Sequence, residues 1–293
     1  MTSSPVFRLA AAQYDIGLLK DWSAYEAKAR RWVAEAVRNG ARMLLFPEYF
    51  SMELVSLFSE DIRRDLNGQL EELQSIHADF QTLYAQLAQS LGLYILAGSF
   101  PVLVNGGQYR NRSWLFRPDG SRDYQDKLQM TRFESEQWCI SPGNEIKVLD
   151  TEFGKIGVSI CYDSEFPLIA RQQVEGGANL ILVPSCSDTQ ASYWRVRIGC
   201  QARAMENQCY VAQAPTVGEA PWSAAVDVNV GAAAIYTPVD YGFPDNGVLA
   251  IGKPEQAQWV YADIDLSGIE RIRTGGQVFN YRDWPKQLHH SVA

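Results

Sequence analysis

Histidine is nearly missing from this 293-residue chain, with only three, at positions 77, 289 and 290. A Ser-His-Asp or Cys-His hydrolytic site would have to use one of them. His77 sits among polar residues in QSIHADFQ and is expected on a helix surface, while His289 and His290 are expected in a solvated tail. Any hydrolytic base in this chain should therefore be a carboxylate. Positive charge is also short: 26 Lys and Arg stand against 34 Asp and Glu, a formal net charge of −8. That balance, with no long run of one sign, argues against a nucleic-acid partner, which needs clustered positive charge. No apolar run reaches the ~18 residues of a membrane span. The opening MTSSPVFRLAAAQ lacks the basic-then-apolar pattern of a secretory signal, so a soluble cytoplasmic protein is expected. The five cysteines (Cys139, Cys161, Cys186, Cys200 and Cys209) are odd in number and contain no CxxC pair. Free thiols are expected in place of disulfides or a zinc site. HExxH, GxGxxG and Walker patterns are missing too, and neither cofactor nor metal is expected.

What the chain does have is apolar residue, 46% of the total, enough for a large core. Strand-like runs alternate with longer helical patterns, which predicts an α/β fold in one domain spanning 1–293. FRLAAAQYD (7–15) predicts a strand, 22–38 a helix stopped by Gly40, and RMLLFPEY (42–49) a second strand. A helix over 70–91 follows, then LYILAGSFP, the Asn105–Gly106 turn and RNRSWLFRP as a hairpin. KVLDTEFGKIGVSICYD holds another hairpin, turning near Phe153–Gly154 and running into Cys161. Helices over 165–175 and 192–207 flank the strand at 179–185. CYVAQAP, AAAIYTP, GVLAIG and WVYADID are further strands, and SGIERIR is a short last helix.

Three residues stand where chemistry could use them. In GKIGVSICYDSEFP an apolar run stops at Cys161 and a polar segment leads toward a helix. Backbone N–H groups and the helix dipole at such a junction favour a thiolate and an oxyanion, as at the nucleophile elbow of other hydrolases. Glu48 ends the apolar LLFPE, where burial should raise its pKa and suit it to general-base work. Lys127 in YQDKLQM follows a strand, and its ammonium could stabilise both a thiolate and a tetrahedral oxyanion. Each alone has an ordinary alternative: a buried structural cysteine, a surface glutamate at a strand end, a surface lysine. The other four cysteines lack this setting and are expected to pack.

Taken together, Glu48, Lys127 and Cys161 in GVSICYDSEFP resemble the Glu-Lys-Cys triad of the nitrilase superfamily of carbon–nitrogen hydrolases. The resemblance runs from AAAQYD to YADID and includes SPGNEI, TEFGKIGVSICYD and WRVRIGCQARAMENQCYVAQA, with Arg203, Ala204, Glu206 and Asn207. It implies a four-layer αββα sandwich that pairs into a homodimer or larger homo-oligomer through helices near the active-site elbow. It implies a mechanism in which Glu48 takes the Cys161 proton and the thiolate attacks the carbonyl carbon. The oxyanion would rest on Lys127 and the Tyr162 backbone N–H, and water would hydrolyse the thioester. It also implies a second glutamate that orients substrate. By its spacing ahead of Pro142–Gly143, Glu136 is the better match, with Glu134 the alternative.

Tyr162–Asp163 after the cysteine resembles the amidase and carbamoylase branches, so a small amide or N-carbamoyl amine is the expected substrate. Ser164–Glu165 stands where some relatives place carboxylate-binding arginines, so Glu165 is a candidate contact for a cationic group. Arg132 in LQMTRFE is a candidate for binding a substrate carboxylate or supporting its loop. A nitrilase, an acyltransferase and a non-catalytic binding module remain as alternatives.

Overall fold

The computed structural model describes residues 6–289, and the expectation for His289 and His290 concerns side chains outside the described residues. The chain opens on β1 (Phe7–Asp15), buried without a break from Leu9 to Tyr14. Leu9 and Ala11 enter one core while Ala10, Ala12 and Tyr14 enter another. Strand alternation sends successive side chains to opposite faces, and a strand covered on both sides needs apolar residues at every position.

Asp21 caps α1 (Trp22–Arg38) by accepting the Ala24 N–H, and β2 (Ala41–Leu45) then pairs parallel to β1. A 3-10 turn (Phe50–Leu57) and the short α2 (Glu60–Arg64) precede the long α3 (Leu66–Leu91), which Asp65 caps and Gly92 ends at φ 65°. The first sheet is completed by β3 (Tyr94–Leu96), β4 (Phe100–Val104), β5 (Gln108–Phe116) and β6 (Arg122–Asp126). The second contains β7 (Val148–Thr151), β8 (Gly154–Val158), β9 (Leu180–Ser185), β10 (Tyr210–Glu219), β11 (Val228–Asn229), β12 (Ala234–Tyr236) and β13 (Val248–Ile251). Between its strands lie α4 (Pro167–Glu175) and α5 (Gln190–Asn207). β14 (Gln258–Ile264) returns antiparallel to β1, and α6 (Leu266–Gly275) and α7 (Asn280–Asp283) follow. The sheets join where Tyr14–Asp15 of β1 pair parallel with Thr216–Val217 of β10.

Four layers result. Tyr25, Ala29 and Val33 of α1 and Phe80 and Tyr84 of α3 cover the outer face of the first sheet. On its inner face Leu9, Ala11, Met43 and Leu45 share a core with Ile156, Val158, Leu180 and Leu182 of the second sheet. That core continues to Ala170 and Val174 of α4 and Val196 and Cys200 of α5, giving the expected αββα order. No helix among the described residues is long and apolar enough to cross a membrane.

Two departures from the sequence reading shape the site. The strand expected over 42–49 stops at Leu45, and LYILAGSFP breaks into β3 and β4 around Gly98. Gly98 has φ 46°, and a Cβ there would stand 1.9 Å from the Pro47 carbonyl oxygen. Only glycine allows this crossing, which holds the turn carrying Glu48. The second departure is His77, which is half-buried on α3 with its ring 4.7 Å from that of Phe100, not on the helix surface. Burial, with Arg112 and Arg122 nearby, pushes its pKa down to about 4.

Candidate active site

Glu48 lies beyond the end of β2 in a turn fixed from both sides. Ser99 Oγ accepts the Tyr49 N–H at 3.0 Å, and Ser51 Oγ donates to the Ser99 carbonyl at 2.7 Å. Tyr49 is left-handed at φ 53°, which starts the 3-10 turn and leaves Glu48 only 1% exposed. Lys127 is the first residue past β6. Its N–H donates to the Asn111 carbonyl at 2.8 Å, and its own carbonyl accepts the Gly143 N–H at 2.7 Å. The close approach of this second bond explains the glycine in SPGNEI: a Cβ on Gly143 would meet Asp126 Cβ at 2.7 Å.

Cys161 follows β8 at φ 48° and begins a 3-10 turn (Cys161–Glu165) ahead of α4. A non-glycine residue held there is strained, the usual condition of a nucleophile elbow. Asp163 braces the turn. Its carboxylate accepts the Ile160 N–H at 3.0 Å and reaches across to the Leu128 and Gln129 N–H groups at 3.1 and 2.7 Å. The cysteine turn and the lysine loop are thus tied through one buried side chain. Burial pushes Asp163 up to about 7, against Lys127 and the three backbone donors. From behind, Arg203 of α5 donates to the Ser164 carbonyl at 3.2 Å.

The ionisable groups form a compact cluster. Lys127 Nζ donates to Glu48 Oε1 at 2.8 Å and to Glu134 Oε2 at 2.6 Å. Glu134 is 2% exposed and also accepts from Tyr49 Oη at 2.8 Å and from the Thr131 N–H and hydroxyl at 3.0 and 2.9 Å. Asn111 Nδ2 reaches Glu48 Oε1 at 2.9 Å and Glu134 Oε1 at 3.3 Å. Glu136, favoured by spacing, lies outside this cluster. Its carboxylate pairs with Arg132 at the surface, 2.9 Å away, and the Arg132 side chain is 88% exposed. The π-helical turn Phe133–Gln137 turns Glu134 inward and Glu136 outward, a local winding that residue spacing does not reveal.

Electrostatics divides the two buried carboxylates. Burial raises Glu48, and the pull of Lys127 does not fully offset it. Burial acts on Glu134 too, but its denser set of donors, Lys127 first, holds it below the usual carboxylate range. Both donors to Glu48 fall on Oε1, so Oε2 has no N–H or O–H donor among the described residues and is free for a proton. Burial alone would lower Lys127, but Glu134 and Glu48 outweigh it and keep the ammonium charged. Burial, followed by the negative charge of Glu48, pushes the Cys161 thiol well above its ordinary range. Both influences act against the thiolate that the elbow's own backbone favours, and suit a sulfur whose proton a neighbouring carboxylate takes.

Cys161, Glu48, Lys127 and Glu134 line one cavity of about 750 Å³. Tyr49, Met130, Phe133, Trp138, Val196 and Val226 give it an apolar wall, and Tyr162, Arg132, Glu165, Arg195, Asp188 and Asp227 also line it. Glu165 faces Arg195 at 3.5 Å. Cys200 and Cys209 are buried as expected, whereas Cys139 is exposed and Cys186 lines the cavity, its carbonyl 3.7 Å from Cys161 Sγ. Sequence reasoning missed Asn111, Tyr49 and Asp163 as parts of this site. Asp163 had one signal, its place two residues after the cysteine.

A strained cysteine beside a buried carboxylate–ammonium cluster, on an αββα sandwich, belongs to a definite class. The Carbon-nitrogen hydrolase family model matches residues 8–274, and the chain belongs to that family. It is a hydrolase acting on carbon–nitrogen bonds. The Bacillus subtilis (strain 168) protein named "Probable hydrolase YhcX" is 32% identical over 283 residues, 97% of this chain but 54% of that protein. Human "Omega-amidase NIT2" is 27% identical over 293 residues, 94% of this chain and 95% of the relative. Among solved structures, Saccharomyces cerevisiae Nit3 superposes with a TM-score of 0.73 at 23% identity, over 93% of this chain and 94% of that one. An amidase from Nesterenkonia sp. gives 0.69 at 21% identity, over 97% of each chain.

Proposed function

We propose that this protein hydrolyses a small amide or N-carbamoyl amine through a Cys161 thioester, with Glu48 as general base, Lys127 as oxyanion donor and Glu134 as the permanent anion beside them. The observation that carries this reading is the uneven pairing of the two buried carboxylates. Glu48, Glu134 and Lys127 sum to one negative charge when all are ionised, and the surplus falls on Glu48, whose N–H donors both fall on Oε1 and whose remaining partner is the Cys161 thiol. In the first half-reaction Glu48 takes the Cys161 proton as sulfur attacks the carbonyl carbon. The tetrahedral oxyanion is stabilised by Lys127 and the Tyr162 N–H. Protonated Glu48 then donates to the leaving nitrogen, and ammonia or an amine departs. In the second half Glu48 takes a proton from water, hydroxide adds to the thioester, and the thiol regains its proton as the acid leaves. Intact-mass measurement during turnover should show the acylated enzyme with amides or N-carbamoyl amines. Faster conversion of the matching nitrile would place the protein among nitrilases, and transfer of the acyl group to an added amine would make it an acyltransferase.

The charges around the cavity favour a neutral or cationic substrate. Beyond the central cluster, Glu165, Asp188 and Asp227 line it against Arg132 and Arg195; Glu136 engages Arg132 and Glu165 engages Arg195, which leaves Asp188 and Asp227 without a cationic partner among the described residues. With matched amides ending in an amine, a methyl or a carboxylate, kcat/KM should be lowest for the carboxylate. Glu165→Gln should raise KM for the amine about tenfold and leave the methyl compound nearly unchanged. A clear preference for the carboxylate would refute this and point to Arg195, 58% exposed, as its anchor.

The same reading includes a homodimer. Leu168 of α4 and Trp194, Ile198 and Met205 of α5 are exposed apolar side chains close to the cysteine turn. Residues 194, 198 and 205 share one face of α5. Sedimentation should give a dimer, and Ile198→Asp should shift it to monomer; an unchanged dimer in that variant would remove this face from the interface. The free cysteines fit a reducing cytoplasm.

A further inference from the structure

Asn111 is fully buried at the centre of β5 and takes no part in the chemistry described above. It nevertheless touches every arm of the cluster. Its carbonyl accepts the Lys127 N–H at 2.8 Å, and its single Nδ2 donates to Oε1 of Glu48 and Oε1 of Glu134. The strand neighbours Arg110 and Arg112 are committed to Asp126 at 3.1 and 2.6 Å. The charged or titratable groups facing Asn111 are therefore Glu48 and Tyr49 after β2, Lys127 after β6, Glu134 from the π-helical turn, and, through Glu48, Cys161.

We propose that Asn111 is a positioning residue for the carbon–nitrogen hydrolase reaction, one amide nitrogen fixing both carboxylates so that Glu48 stays ionised and aimed at Cys161. The inference rests on Glu48 being the base. An amide suits the task for a reason of charge. Two carboxylates this close repel, and their common donor must relieve that repulsion without cancelling the surplus negative charge that makes Glu48 basic. A lysine or arginine would neutralise the cluster, a carboxylate would add to the repulsion, and a hydroxyl has one hydrogen where two acceptors need two. The amide supplies two hydrogens and no charge. Hydrogen bonds to an ionised acid favour that form, so losing them raises the pH at which Glu48 gives up its proton.

The experiment is the pH profile of kcat/KM for Asn111→Leu and Asn111→Ser beside Glu48→Gln, with folding followed by circular dichroism. Asn111→Leu should lower the plateau about tenfold or more and move the acid limb to higher pH. Asn111→Ser, which keeps one donor, should move the limb less, and KM should change little in either. The rate at which a small neutral alkylating amide labels Cys161 should shift along pH in the same direction, without any turnover. An acid limb left in place, whether activity falls or not, overturns the proposal and leaves Asn111 a packing role. Should Asn111→Leu fail to fold, the smaller shift in Asn111→Ser decides the question alone. Loss of the acid limb in Glu48→Gln with no shift in the Asn111 variants rejects only the positioning role. Retention of a wild-type limb in Glu48→Gln rejects the base assignment itself.

Discussion

Cys161→Ala should yield a folded protein with no measurable turnover and no acyl adduct by intact mass, on every amide the native protein cleaves. The expected loss is total because the thioester has no other source of sulfur at the reacting carbon. Cys139 is exposed and Cys200 and Cys209 are packed away, while Cys186 lines the cavity without the cluster's carboxylate on it. Single alanine variants at Cys139, Cys186 and Cys209 should keep most of the activity. Glu48→Gln should lose ~10²-fold or more, the usual scale for a general acid–base group. The upward shift of the thiol makes this second variant informative. Were the sulfur a standing thiolate paired with Lys127, removing Glu48 would slow only leaving-group departure and water activation. With burial and Glu48 both holding the thiol neutral, Glu48 is needed for attack as well. Acylation should therefore slow as much as turnover, which single-turnover mass spectrometry can read. Fast acylation in Glu48→Gln, or turnover in Cys161→Ala, would overturn the mechanism.

Much of this was legible in the residues because the physics involved is local. The strand at 7–15 follows from its apolar Leu9–Ala12 run, buried on two faces, and the end of the 22–38 helix ahead of Gly40 follows from helix-end chemistry. Glu48 stood out as a charge at the end of an apolar strand, and Lys127 as a cation just after a strand. What could not be read was how separated segments close on each other. The contacts of Asn111 and Tyr49 with the buried glutamates depend on pairings between segments distant in sequence, and Gly98 makes sense only once Pro47 lies against it. The upward pull on the Cys161 thiol was hidden for a related reason. The helix-dipole argument weighed only the elbow's own backbone, and the larger influences, burial and a carboxylate from another strand, enter with the tertiary structure.

The pair Glu134 and Glu136 shows the same limit at a distance of two residues and gives a sharp test. Glu134→Gln should cut kcat/KM by ~10²-fold, because the cluster loses the charge that makes Glu48 basic. The sign of the pH effect follows from the same charge. Glu134 raises Glu48 electrostatically, so its removal should lower the Glu48 pKa and move the acid limb to lower pH, opposite to the shift expected for Asn111→Leu. Lys127 would then hold Glu48 as its sole carboxylate partner, a better-paired ion and a poorer base. Glu136→Gln breaks only an exposed, solvent-screened pair with Arg132 and should stay within about threefold of the native rate. If Glu136→Gln proves the damaging change and Glu134→Gln the mild one, the buried cluster is structural. The spacing argument from Pro142–Gly143 would then have found the working glutamate, carried to the substrate by a rearrangement of the 133–137 turn.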